Sequence, residues 1–224
     1  LQHPDIVEVL EIGEDGHTAF IAMELLSGRD LSHHTQADSL LPAATVVQIG
    51  LRASLALEHA HGRGVVHRDI KPANVMVDFE RGMVKLTDFG IARVGDAIRT
   101  RTGLVLGSPV YMAPEQIAGR PVDGRSDLYA LGVMLFQLLC GRLPFDARSM
   151  ADVIEHAARP RTHTLRAWRQ DLPAELDDVI TLCLQQRPEL RYGHAKALAE
   201  DLALVYERWF AESLPPQHSA LRRT

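Results

Sequence analysis

Val65-Val66-His67-Arg68-Asp69-Ile70-Lys71-Pro72-Ala73-Asn74-Val75-Met76 sets an imidazole, a carboxylate, an ammonium and a carboxamide within one short stretch between apolar flanks. Upstream, Pro42 to His61 places Val46, Ile49, Ala53, Ala56, Leu57 and Ala60 at helical spacing. Pro42 suits a first helical turn, and Gly62 and Gly64 stop the helix. Downstream, Val75-Met76-Val77 and Met83-Val84-Lys85-Leu86-Thr87 read as short strands around a turn at Arg81-Gly82. The polar stretch therefore joins a helix end to a strand. Asp88-Phe89-Gly90 follows the second strand. A lone Asp-Phe-Gly recurs by chance, but the two motifs in this order, each in a strand–loop setting, are a specific signal.

Further out, Ile6 to Leu10 and Thr18 to Met23 predict a β-hairpin with its turn at Gly13-Glu14-Asp15-Gly16. Residues 93–109 are polar and aperiodic, the pattern of a long loop. From Ser126 onward the chain is mostly helical, with runs at Ser126–Cys140, Ala174–Cys183 and His194–Phe210. A small β region leading into a larger helical one is an α+β arrangement. The 224 residues, 46% hydrophobic and 24% charged, fit one globular domain, and a net charge of −5 argues against nucleic acid as a partner. The apolar run Leu128 to Cys140 is too short for a membrane span, and Cys140 and Cys183 read as two buried thiols. His33-His34 and His59-Ala60-His61 lack the spacing of a helical zinc pair. Of 24 basic residues only Lys71, Lys85 and Lys196 are lysine.

The paired motifs resemble the catalytic and metal-binding loops of eukaryotic-type (Hanks-type) protein kinases, and the likeness runs from His3-Pro4-Asp5-Ile6-Val7 to Arg191. The resemblance implies a protein-kinase-like fold and transfer of the γ-phosphoryl group of Mg-ATP to Ser/Thr hydroxyls of protein substrates. By it, Asp69 orients and deprotonates the acceptor hydroxyl, Lys71 sets a positive charge beside the phosphoryl group, and Asn74 and Asp88 hold Mg²⁺ (or Mn²⁺). A lysine at position 71 resembles the Ser/Thr branch. Met23 takes the gatekeeper place, the Glu24 to Leu26 backbone the adenine, Asp30 the ribose, and Met76 the apolar floor under the ATP. Phe89 and Gly90 resemble the conformational switch, and His67 belongs to the catalytic-loop scaffold. Ser108, in Gly107-Ser108-Pro109, resembles the floor for the substrate. Glu115, Asp127 and Arg191 match structural positions, Glu115 pairing with Arg191 and Asp127 holding the catalytic loop. Arg68 and Arg93 form an expected phosphate receptor for Thr100 and Thr102, which resemble the double-threonine activation loop of the bacterial branch.

Two departures accompany the likeness. Ala73 stands where many basophilic kinases carry glutamate, and no Gly-rich loop or strand lysine with a helix glutamate partner is found in the chain. The reading is then of an N-terminally truncated catalytic domain. Residues 1–24 are a remnant of the N-lobe, 25–212 the C-lobe, and 213–224 a tail or linker, and the chain alone is close to inactive. The alternative is a non-catalytic, pseudokinase-like binding module. Self-phosphorylation through a dimer, and a cytoplasmic location as part of a membrane-anchored sensor, complete the expectations.

Overall fold

A computed structural model describes residues 1–16, 18–89, 108–159 and 163–211. The chain opens with an antiparallel hairpin, β1 (Val9–Asp15) and β2 (Thr18–Met23). A second antiparallel sheet has β4 (Val75–Asp78) between β3 (Arg29–Asp30) and β5 (Met83–Leu86). The helices among the described residues are α1 (Ala43–His61), α2 (Pro114–Ile117), α3 (Gly124–Cys140), α4 (Met150–Ala158), α5 (Ala174–Cys183) and α6 (Ala195–Trp209). This is the α+β arrangement that the sequence indicates.

α3 is apolar on all sides and occupies the centre: Leu128, Leu131, Met134, Leu135, Phe136 and Leu138 are all buried. α1 and α6 close on it where Gly50 leaves room. A Cβ at position 50 would stand 2.9 Å from Leu135 and 3.3 Å from Leu202. α5 approaches even more closely at Gly132, where an added Cβ would meet that of Cys183 at 2.6 Å. Both thiols are buried and free, and burial pushes Cys140 up to about 11, well out of the thiolate range at neutral pH. No described helix is long and apolar enough to cross a membrane.

Three local expectations need correction. The first strand begins at Val9 rather than Ile6, because Asp5 to Val7 are taken by β5. The Val7 N–H donates to the Leu86 carbonyl at 2.9 Å, and the Leu86 N–H donates to Asp5 at 2.9 Å. Gly13, Glu14 and Asp15 lie within β1, and only Gly16, with φ 64°, is left for the turn. α4 went unforeseen, although Ser149 and Asp152 form a reciprocal capping box: Ser149 Oγ accepts the Asp152 N–H at 3.2 Å and Asp152 Oδ2 the Ser149 N–H at 2.8 Å.

Gly132→Ala should lower stability by about 1–3 kcal/mol through overpacking against Cys183. A fall in urea midpoint at unchanged slope is the readout, with Gly193→Ala, where no atom lies within 4 Å of the added carbon, as the near-neutral control.

Candidate active site

α1 ends before the polar loop, and α3 supplies the group that shapes it. Asp127, in the first turn of α3, is 1% exposed. Its Oδ1 accepts the Arg68 N–H at 2.7 Å, while Oδ2 accepts the His67 N–H at 2.9 Å and lies 2.8 Å from His61 Nε2. These bonds hold Arg68 at φ 68°, a left-handed conformation costing a non-glycine residue roughly 1–2 kcal/mol. Gln116 Nε2 donates to the Arg68 carbonyl at 3.0 Å and its Oε1 accepts the Ala113 N–H at 3.0 Å, tying α2 to the same turn.

His67 is fully buried, and burial, partly offset by Asp127, holds its imidazole below the usual pKa. The neutral ring bridges two loops. Nε2 bonds the Thr87 carbonyl at 2.8 Å, Nδ1 accepts the Asp69 N–H at 3.3 Å, and Phe89 packs on it at 4.4 Å between centroids. Asp69 is thereby set beside its partners. Lys71 Nζ donates to Asp69 Oδ2 at 2.6 Å, and Asn74 Nδ2 donates to the same oxygen at 3.0 Å and to the Asp69 carbonyl at 2.8 Å. The Thr87 N–H donates to the Asn74 carbonyl at 3.0 Å, so the loop carrying Asp88 is fastened to the loop carrying Asn74. Asp88 itself has φ 60°. With Phe89, Met23, Val65, Val7 and Ile12 it lines a cleft of about 440 Å³. The Asn74 bonds to Asp69 run through Nδ2 and do not use Oδ1. That oxygen and the Asp88 carboxylate are hard donors of the kind that could hold Mg²⁺ or Mn²⁺.

Met23 ends β2, and Glu24 to Leu26 lead to β3, where Asp30 and Met76 are register partners. Gly28 passes so close to β4 that a Cβ there would stand 2.0 Å from the Val77 carbonyl oxygen, and its φ is 93°. Asp30 Oδ1 accepts the Ser32 N–H at 2.8 Å, capping the short turn Leu31–His34. Burial raises its pKa, but the Ser32 bonds outweigh that and hold the carboxyl below its usual range. The expected ribose ligand thus already has one oxygen engaged. Sequence reasoning missed the side chain of Glu24, which pairs with Lys85 at 2.5 Å, and also His61 and Gln116. Gln116, three residues past Ala113, had a readable N-terminal capping position; Lys85 carried no such local signal.

Glu115 and Arg191 meet as anticipated. Arg191 is 6% exposed and uses all five of its N–H donors: Nη1 on Glu115 Oε1 at 2.7 Å and the Arg125 carbonyl at 2.9 Å, Nη2 on Glu115 Oε2 at 2.8 Å and the Gln186 carbonyl at 3.0 Å, and Nε on the Gln185 carbonyl at 2.7 Å. Burial drives Glu115 up, but the Arg191 and Ser126 hydrogen bonds win and hold its carboxyl below the usual range. Ser108 opens the 3-10 turn Ser108–Tyr111. Gly90, Arg93, Thr100 and Thr102 lie outside the described residues. The buried Arg68 Nε finds no hydrogen-bond partner among the described residues.

A loop carboxylate bracketed by lysine and asparagine, with a second carboxylate one strand hairpin later, is the equipment of phosphoryl transfer. The family model described as protein kinase domain matches residues 1–203, and the chain belongs to the protein kinase family. It is 35% identical over 208 residues to "Serine/threonine-protein kinase PrkC" of Bacillus subtilis, covering 92% of this chain and 32% of that protein. It is 40% identical over 209 residues to "Serine/threonine-protein kinase Pkn1" of Myxococcus xanthus (91% and 30%), and 36% identical over 212 residues to "Serine/threonine-protein kinase PknB" of Mycobacterium leprae (92% and 34%). The chain spans about a third of the length of these curated relatives.

Arg191→Met strands a buried carboxylate and should cost about 3–5 kcal/mol in urea unfolding at pH 7. Because the folded Glu115 carboxyl titrates below its unfolded value, the stabilisation from the pair is present above the usual carboxylate range and fades as pH falls through the folded pKa. The gap between wild type and Glu115→Gln should therefore narrow on acidification.

Proposed function

We propose that this chain is the catalytic part of a Ser/Thr protein kinase that moves the γ-phosphoryl group of ATP to a Ser or Thr hydroxyl of a protein substrate. The observation that carries the reading is the Asp69 cluster, in which Lys71 and Asn74 both donate to one carboxylate oxygen. That pins the carboxylate for an incoming hydroxyl: Asp69 orients it and takes its proton late in a loose transition state, so a strongly basic group is not required. Lys71 balances negative charge that builds beside Asp69. Asn74 does two jobs, fixing Asp69 through Nδ2 and presenting Oδ1, with Asp88, to a divalent ion. The ion, when bound, neutralises phosphate charge. Met23, Glu24, Leu26, Asp30 and Met76 are read as the nucleotide side of the site, Ser108 as the floor beneath the acceptor, and Phe89 with Gly90 as the switch.

Residues 1–24 read as the N-lobe remnant, 25–212 as the C-lobe and 213–224 as a tail. Within these 224 residues no Gly-rich loop is present, Lys71 serves Asp69, Lys85 serves Glu24, and Lys196 lies 3.8 Å from Glu200 on α6. Purified residues 1–224 should accordingly transfer phosphate barely above background. A form extended upstream to include the phosphate-anchoring strands should phosphorylate a generic protein substrate, with a loss of about 10²–10⁴-fold in Asp69→Asn. An extended form that is equally slow with and without Asp69 would favour a non-catalytic binding module.

Arg68, with its buried Nε lacking a partner among the described residues, supports the further reading that phosphate on Thr100 or Thr102 is received by Arg68 and Arg93. Self-phosphorylation through a dimer is the proposed source of that phosphate. Thr100→Ala with Thr102→Ala in the extended form should lower activity at least about tenfold; unchanged activity would refute this regulation.

A further inference from the structure

Lys85 lies on β5 between Val84 and Leu86, both buried in the core, so its side chain leaves by the opposite face. There Nζ donates to Glu24 Oε1 at 2.5 Å and to the Ile6 carbonyl at 3.2 Å. The same Glu24 oxygen accepts the Glu8 N–H at 2.8 Å, and the Glu24 N–H donates to the Glu8 carbonyl at 2.9 Å. One carboxylate oxygen thus joins three stretches of chain. At the other end of the linker, Ser27 Oγ donates to Asp78 Oδ2 at 2.7 Å, and Gly28 lies against the Val77 carbonyl. Between these two fastenings Leu25 is 99% exposed and adds no grip of its own.

Both fastenings sit on the β4–β5 hairpin, Lys85 on one strand and Val77 and Asp78 on the other. The open end of that hairpin delivers Asn74 before β4 and Asp88 after β5, and the Thr87 to Asn74 hydrogen bond closes it. Met76, read as the floor under the purine, is the register partner of Lys85. We infer that Lys85 and Glu24 are positioning residues that fix the residue 24–26 backbone to the β4–β5 hairpin, setting the distance from the adenine contact to the Asn74–Asp88 metal pair. This inference rests on the kinase reading of the site. The pair touches no reacting atom and acts through the backbone that it holds.

Adenosine isolates the question, because it lacks the phosphates and probes the adenine and ribose side of the site without the metal pair. Its Kd, and that of MgADP, are to be measured on residues 1–224 by saturation-transfer NMR well below the melting temperature, where a loss of global stability alone would not weaken binding. Lys85→Met and the isosteric Glu24→Gln should each weaken adenosine about three- to fivefold. Lys85→Arg should stay within about twofold of wild type, and the exchanged pair Lys85→Glu with Glu24→Lys should recover most of the loss. Wild-type adenosine binding that is unchanged in both single variants overturns the positioning role while leaving the kinase reading intact. Absence of adenosine binding to wild type overturns the nucleotide reading and this inference with it.

Discussion

The carboxylate of Asp127 is the constraint on which the catalytic loop depends. A buried anion is costly by several kcal/mol unless donors surround it, and here the donors are the backbone N–H groups of His67 and Arg68 together with the His61 ring. Those donors exist in that geometry only if Arg68 takes its left-handed conformation. The strain at Arg68 and the burial of Asp127 are thus two unfavourable terms, and the same hydrogen bonds offset both. Since Asp127 belongs to the central helix, the loop inherits the rigidity of the core rather than that of a surface turn.

Rigidity passes from there through His67 to the second loop. A neutral imidazole can donate from one nitrogen and accept at the other, and His67 uses both, on Thr87 and Asp69. Protonation would turn the acceptor into a second donor and break this bridge, so the burial that keeps His67 neutral also keeps Asp69 and Asp88 in register. Phe89 packs on that ring, so any movement of the Asp88-Phe89 segment must first give up a contact made to the catalytic loop.

Much of this could be read from the residues alone. The helix from position 43 to 61, the strands around Val77 and Val84, the apolar α3 and the Asp69-Lys71-Asn74 grouping all follow from local periodicity and from motif order. What was not legible depends on partners distant in sequence. The placement of β1 failed because Ile6 and Val7 have the same β-propensity whether they pair with β2 or with Leu86, and only the fold chooses. Asp30 carried two compatible roles, cap and ligand, and the cap is a matter of a bond to its neighbour Ser32. Lys85 could be placed on its strand but not paired, because its partner Glu24 lies 61 positions away.

The imbalance between arginine and lysine acquires a physical meaning at these sites. Arg191 satisfies five acceptors at once with a flat, fixed fork, which an ammonium with three donors on a flexible stem cannot do. Lys71 faces the opposite demand. Beside Asp69 a compact charge sits on a carboxylate oxygen, 2.6 Å away, that also serves Asn74, and a guanidinium there would compete for both oxygens. Lys85 shares one oxygen of Glu24 with the Glu8 N–H, a single contact that either cation can make. In a chain with so few lysines, Lys71 stands where a small point charge fits and a fork does not.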